Sequence, residues 1–347
     1  MKLSKYLVAL AFAIIISALF FTTIDLTGVL EKMVGVSLSW IVVSASLQVL
    51  SPLVRGWRWK IMLKPVKRDV SFSSTFWANN VGFMINFLVP IRIGSEVTRA
   101  YLLGKKEEVG FLKVLSSVAL ERVLDLVAIS TMAMLAAILL SFRGVPQLYT
   151  LSIGAVSIFS ISVLAIVIVG IRKETWVLKK IETFTSRIPF LSKRKTVVRE
   201  GFAAAIAGAR GLNHDVPTAL GTLILTWIVW IIEFISVYAL FLAFGLNIPF
   251  PAILLGTMLI QLLFILPSPP GYVGSLQAFW YLAFVGLAVA NVETILAMTI
   301  VRHIISAIIL LGLGYGGLLS MKMAFGDISL LLNKVRGQNE SQDQNGK

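Results

Sequence analysis

The residues with the chemistry to act gather in two stretches and at two isolated points. In the first stretch Arg92 and Glu96 flank Gly94-Ser95, and Arg99 follows Glu96 by three residues, on the same helical face. Asn79, Asn80 and Asn86 add amides just upstream. The second stretch, Glu121-Arg122-Val123-Leu124-Asp125, sets two carboxylates one helical turn apart with an arginine beside them. Arginines and a helix N-terminus can grip a phosphate. The carboxylates can orient those arginines or carry a coupling proton. The competing reading is an ion-paired network that only holds its helices in place. Glu233 stands alone near Trp227 and Trp230, either a proton carrier or the partner of Arg302, and the sequence does not choose. Arg302 should pair with a carboxylate, and the adjacent His303 reads as a hydrogen-bonded packing residue.

Other chemistries are excluded or disfavoured. With no cysteine there is no thiol catalysis, disulfide framework or cysteine zinc site. His214 and His303 lie far apart, so no histidine metal site and no cofactor is expected. The chain contains neither a phosphate-binding G-x-x-x-x-G-K-[ST] segment nor a G-x-S-x-G nucleophile. Glu121 and Asp125 could in principle form an acid/base pair, but the same spacing suits a structural pair. An enzyme is not the expectation.

The elements that position these residues belong in a bilayer. The 347 residues are 57% hydrophobic and 14% charged, against about half and about a quarter in soluble proteins. Six apolar blocks read as spans: Tyr6 to Phe21, Leu38 to Val54, Leu112 to Phe142, Leu151 to Ile171, Ala219 to Phe244 and Val292 to Leu319. With both termini cytoplasmic, only Lys32 and Arg143 fall outside and Arg122 and Arg302 fall within spans. The other 27 of 31 basic residues then lie on or near the cytoplasmic side. The net charge of +14 therefore records topology and contact with anionic lipid at the cell membrane, not nucleic-acid binding.

Two further apolar regions are interrupted, Phe72 to Leu103 at Pro90-Ile91-Arg92-Ile93-Gly94 and Pro251 to Ala290 at Pro267-Ser268-Pro269-Pro270-Gly271. Proline removes a backbone donor and glycine relaxes the chain, so each region should be two short helices joined by irregular backbone, a re-entrant hairpin. At an offset of 180 residues, Pro90, Gly94, Ser95, Tyr101, Leu102, Val109 and Arg122 meet identical residues from Pro270 to Arg302, seven identities in 33 positions. Three spans separate the two regions, so the repeat would be inverted, as in carriers with a site at the repeat interface. The fold class expected is an all-α polytopic membrane protein, with about six full spans and two broken hairpins.

Residues 1–335 read as one integral membrane domain, and 336–347 as a disordered tail rich in Gln, Asn, Gly and Ser. Within 172–216, Val177, Ile181, Phe184 and Ile188 form one face of a helix lying on the membrane surface, with Lys179 and Lys180 off it. Trp57 and Trp59 read as an interfacial anchor. Gly312, Gly314, Gly316 and Gly317 read as positions of close helix packing.

These motifs resemble the lysylphosphatidylglycerol synthase transmembrane region family, often called flippase-like. Arg58-Trp59 matches its early arginine-tryptophan pair. Pro90 through Tyr101 matches P-x-R-x-G-[G/S]-E-x-x-R-A-Y, and Glu121 through Asp125 matches E-R-x-x-D. Pro267 through Gln277 matches P-x-P-x-G-x-x-G-x-x-E except at its end, where Gln277 replaces glutamate. A coupling or cation-binding carboxylate would be lost there, while a recognitional hydrogen bond would survive.

The resemblance implies lipid handling across a membrane. The aminoacyl-transferase domain that follows this region in bacterial relatives is not expected here. The reading that results is a lipid translocase for an anionic or polyprenyl-linked lipid. Its substrate contacts are expected among Arg58, Asn86, Arg92, Glu96, Arg99, Glu121, Arg122, Asp125, Gln277 and Arg302. Membrane lipids are the expected partners, with a lipid-modifying enzyme or a second copy of the chain as further candidates. The alternatives are an ion-coupled transporter of a small solute and a membrane partner of a lipid-modifying enzyme.

Overall fold

The computed structural model describes residues 26–89, 94–142, 172–187, 215–264, 266, 268–285, 289–323 and 326, with isolated positions between 158 and 169 and between 199 and 206. Every regular element among them is helical. In chain order these are α1 (Leu26–Met33), α2 (Leu38–Met62), α3 (Phe72–Leu88), α4 (Gly94–Lys106), α5 (Phe111–Ser141), α6 (Glu174–Arg187), α7 (Val216–Ala243), α8 (Phe250–Leu263), α9 (Ser275–Trp280) and α10 (Val292–Ser320). A single 3-10 turn, Pro270–Tyr272, precedes α9, and a π-helical turn, Tyr281–Val285, follows it.

Among the described residues, α2, α5, α7 and α10 are long and apolar enough to cross a membrane, and the chain is a polytopic membrane protein. They correspond to four of the six expected spans. Tyr6 to Phe21 and most of Leu151 to Ile171 lie outside the described residues, as do Arg92, His214, both termini and the tail. The two interrupted regions form paired short helices: α3 and α4 on either side of 89–93, and α8 and α9 on either side of the segment around Pro269 and Gly271.

The stretch before Gly35, to which the sequence assigned no element, is a helix, α1, with Val29 packed on Leu296 and Ala297 of α10. Two expectations need correction. The second span extends through Met62, so Arg55, Trp57, Arg58, Trp59 and Lys60 all sit on α2. Trp59 is fully buried, donating to Ser117 Oγ at 3.0 Å, so only Trp57, half exposed with Lys60 Nζ 5.4 Å from its ring, is placed as an interfacial anchor would be.

The helix ends follow local chemistry. Asp215 caps α7 by accepting from Thr218 N–H at 3.1 Å, and Asn291 caps α10 by accepting from Thr294 N–H at 3.1 Å. The chain divides into two compact units. One comprises Met1–Pro52, Trp77–Thr98 and Ile232–Lys347; the other comprises Leu53–Phe76 and Arg99–Ile231. In the first, α10 lies close on α3: a Cβ at Gly314 would come 2.3 Å from Met84 Cβ, and one at Gly317 2.6 Å from Val81. Gly316 faces Trp77 more loosely. A Cβ at Gly312 would meet nothing within 4 Å, so among the described residues it does not serve the packing expected of it. In the second, Val177 and Leu178 bury one side of α6, while Trp176 and Phe184 stay exposed with Lys180 Nζ 5.7 Å from the Trp176 ring.

Candidate functional site

The E-R-x-x-D segment on α5 acts as its spacing suggests. Glu121 and Asp125, one turn apart, both receive Arg58 of α2. Nη2 donates to Glu121 Oε1 at 2.6 Å and Nη1 to Asp125 Oδ1 at 2.6 Å. Arg99 donates to the second oxygen of Glu121, and its guanidinium stacks 4.5 Å over Trp59. Trp230 Nε1 donates to Asp125 Oδ1 at 3.1 Å, and Thr226 accepts from Arg58 at 3.3 Å. Arg55 approaches Asp125 at 3.9 Å and lies over Trp230. Arg58 and Arg99 are fully buried, and both carboxylates nearly so. Charges taken out of water on this scale need opposite partners, and the two carboxylates supply them, although among the described residues Arg58 Nε has no acceptor. Arg122, on the same turn, is only half-buried.

Sequence reasoning found Arg58, Arg99, Glu121 and Asp125 but not that they form one cluster. It also missed Arg55, Ser117 and Thr226. The signal for Arg55 was its position one helical turn before Arg58.

The second constellation, within the first unit, surrounds the break between α8 and α9. Glu233 of α7 pairs with Arg302 of α10, the partnership that was one of its two readings from sequence. Arg302 also donates to Ser236 Oγ at 3.2 Å, and its guanidinium lies 6.0 Å from the Trp280 ring centre. Gly271, Tyr272 and Gly274 all have left-handed φ, so this turn needs outside support. It receives three ties. Asn86 Nδ2 donates to Tyr272 Oη at 2.6 Å. Gln277 Oε1 accepts from Gly274 N–H at 2.9 Å. His303 Nε2 lies 2.7 Å from the Gly271 carbonyl. A carbonyl only accepts, so His303 carries its proton on Nε2, and Nδ1 accepts from Gln277 Nε2 at 3.3 Å.

A partly open cavity of about 180 Å³ adjoins this network. Glu233 and Arg302 line it, with Gln261, Thr257 and Ser306 as further polar groups and Phe87, Phe264, Tyr272 and Trp280 as aromatic walls. The exposed fractions of the Arg302 and Glu233 side chains are 10% and 16%, against none for Arg58 and Arg99. A shallower cavity of about 250 Å³ is lined by Gln277, His303, Ile300, Ile304 and Ala307, so His303 borders both. Glu96 occupies the first turn of α4, half-buried, where a carboxylate favours the helix dipole. Of the ten expected contacts, Arg302 lines the more enclosed cavity, Gln277 the shallower one, and Asn86 ties Tyr272. Among the described residues, no group of His, Asp and Glu could hold a metal.

Comparison with known proteins places the chain among membrane proteins. Two UPF0104 membrane proteins of Methanothermobacter thermautotrophicus are similar. One is 28% identical over 247 residues, covering 69% of this chain and 71% of the relative. The other is 27% identical over 263 residues, covering 72% and 75%. A UPF0104 membrane protein of Pyrococcus horikoshii is 23% identical over 313 residues, covering 86% and 91%. No solved structure matches the chain. The family model described as the lysylphosphatidylglycerol synthase TM region matches residues 6–314, nearly the whole helical array that carries both charged constellations, and the chain belongs to that family.

Proposed function

We propose that this chain is a lipid translocase that passes a polar head group across the bilayer through its broken helices. The observation that carries the reading is the cavity beside the α8–α9 break. There an ion pair and four aromatic rings face open space inside a protein otherwise built from apolar spans. Burying that pair beside a cavity has a cost, and a polar ligand in transit is what such a surface serves. On this reading both interrupted regions are re-entrant hairpins related as an inverted repeat. Both termini are cytoplasmic, following the basic residues. The Arg58–Glu121–Arg99–Asp125 cluster then holds α2, α4 and α5 in register, and Arg92, Glu96 and Arg122 are further head-group contacts on this reading.

The test is translocation of fluorescent lipids in liposomes containing the purified full-length protein, wild type beside Arg302→Gln. Movement above that of protein-free vesicles, reduced at least about tenfold in the variant, is expected. Folded protein that moves no lipid would refute the reading. Gradient-driven uptake of a small solute by the same vesicles would replace it with an ion-coupled transporter, which a cavity of this volume also suits.

A further inference from the structure

The cavity beside the α8–α9 break holds one positive and one negative side chain, and they pair with each other. His303, which also lines it, is neutral by its hydrogen bonds, so among the described lining residues the net charge is zero, which constrains what can enter. A purely anionic head that takes Arg302 leaves Glu233 unpaired against aromatic walls. A purely cationic head that takes Glu233 strands Arg302. Either outcome leaves an uncompensated charge in a low-dielectric site. A head group that brings both charges can exchange partners with the pair and strand neither. The two side chains are in direct hydrogen-bond contact, so the ligand's charges must also sit close together. The walls suit such a ligand: Trp280 already has a guanidinium 6.0 Å from its ring centre, and Phe264 and Tyr272 meet edge to face at 5.2 Å beside it.

The second cavity gives the rest of the molecule a place. It shares His303 with the first and is otherwise lined by Gln277 and by Ile300, Ile304 and Ala307 of α10. Ile304 and Ile308 are 54% and 67% exposed on a membrane-spanning helix, a face whose natural covering is hydrocarbon chain.

We propose that this region binds a zwitterionic phospholipid head whose phosphate and ammonium are joined by a short link. The phosphate lies on Arg302, the ammonium on Glu233 among the aromatic rings, and the apolar chain in the α10 groove past His303. The proposal deepens the translocase reading and rests on it for its biological role, but it is a claim about binding and is tested as one.

Full-length protein in detergent is titrated with four dihexanoyl lipids carrying phosphocholine, phosphoethanolamine, phosphoglycerol or glucosyl heads, with affinity read by calorimetry. Wild type should bind the two zwitterionic heads at least about tenfold more tightly than the other two. Glu233→Gln should shift preference towards phosphoglycerol, because Arg302 then lacks a counter-charge. Arg302→Gln should weaken every phosphate-bearing head while leaving the glucosyl head unchanged. A residue with a merely structural role would weaken all four together. Equal affinities, preference for the glucosyl or phosphoglycerol head in wild type, or parallel losses in both variants would overturn the proposal. Should a variant not fold, Trp280→Leu gives the same test through selective loss of the two ammonium heads. Selective binding without any lipid movement in liposomes would sink the translocase reading and leave this site standing.

Discussion

The two ion-paired regions are built from the same side chains and answer opposite demands. Around α5, Arg58 and Arg99 are wholly enclosed, and Glu121 divides its two oxygens between them. Around the α8–α9 break, a single pair, Glu233 and Arg302, stays open on one side to a cavity. Enclosure makes a charge permanent, since nothing can replace its partner without dismantling the packing. An open edge makes the partner exchangeable. The comparison teaches that charge inside a membrane protein is not by itself a sign of a ligand site; the space beside it is.

The sharpest way to break this comparison is to remove a carboxylate from the enclosed cluster. Glu121→Gln puts an NH2 in place of one of the two oxygens that Arg58 and Arg99 divide and removes the charge both pair with, and it should lower stability by about 3–5 kcal/mol, seen as loss of monodisperse protein on heating. Glu233→Gln should lower it by only about 1.5–3 kcal/mol while altering ligand preference. Equal losses at the two positions would erase the distinction.

A third substitution asks whether the unit around the cavity is otherwise tightly built. Gly314→Leu drives a side chain into Met84 and should destabilise by about 1–3 kcal/mol in the same melts. Gly312→Ala, in open space on the same helix, should be neutral or gain up to about 1 kcal/mol.

The smallest effect marks the solvent end of the scale. Glu107 accepts from Lys67 Nζ at 3.2 Å and from Ser71 N–H at 3.3 Å. Burial pushes its carboxyl up, but the Ser74 hydroxyl, Lys67 and the Ser71 amide outweigh that and hold it below the usual carboxylate range. A lowered carboxylate contributes stability above its unfolded value and loses it as pH falls through the folded one. Lys67→Met should therefore cost at most about 1 kcal/mol near neutrality, a difference that fades in melts taken at progressively lower pH.

Much of this was legible in the sequence because membrane insertion leaves a coarse record. Hydropathy located α2, α5, α7 and α10, and Pro90 and Pro270 located the two breaks. The spacing of Glu121 and Asp125 was legible as one helical face. What could not be read was which charges would meet. Arg58 and Glu121 are 63 residues apart and Glu233 and Arg302 are 69 apart, so only tertiary packing pairs them. Trp59 misled for a similar reason. Beside arginines at a span's end a tryptophan looks interfacial, and only the arrival of Ser117 and Arg99 makes it core. The α1 helix, with only eight residues, is too short to stand alone and exists through its contact with α10.

The tie from Gly274 through Gln277 and His303 to Gly271 has a further consequence, for the tightness of the membrane. A row of hydrogen bonds through a membrane protein is a candidate path for leaking protons, because a protonatable group can take a proton on one side and release it on the other. Here the row begins at a backbone N–H, passes through the Gln277 amide and the His303 imidazole and ends on a backbone carbonyl, with every donor pointing the same way. Neither backbone end exchanges protons readily, and the amide relays none. Gln277 therefore holds the turn through Gly274 N–H without adding an ionisable group to the row.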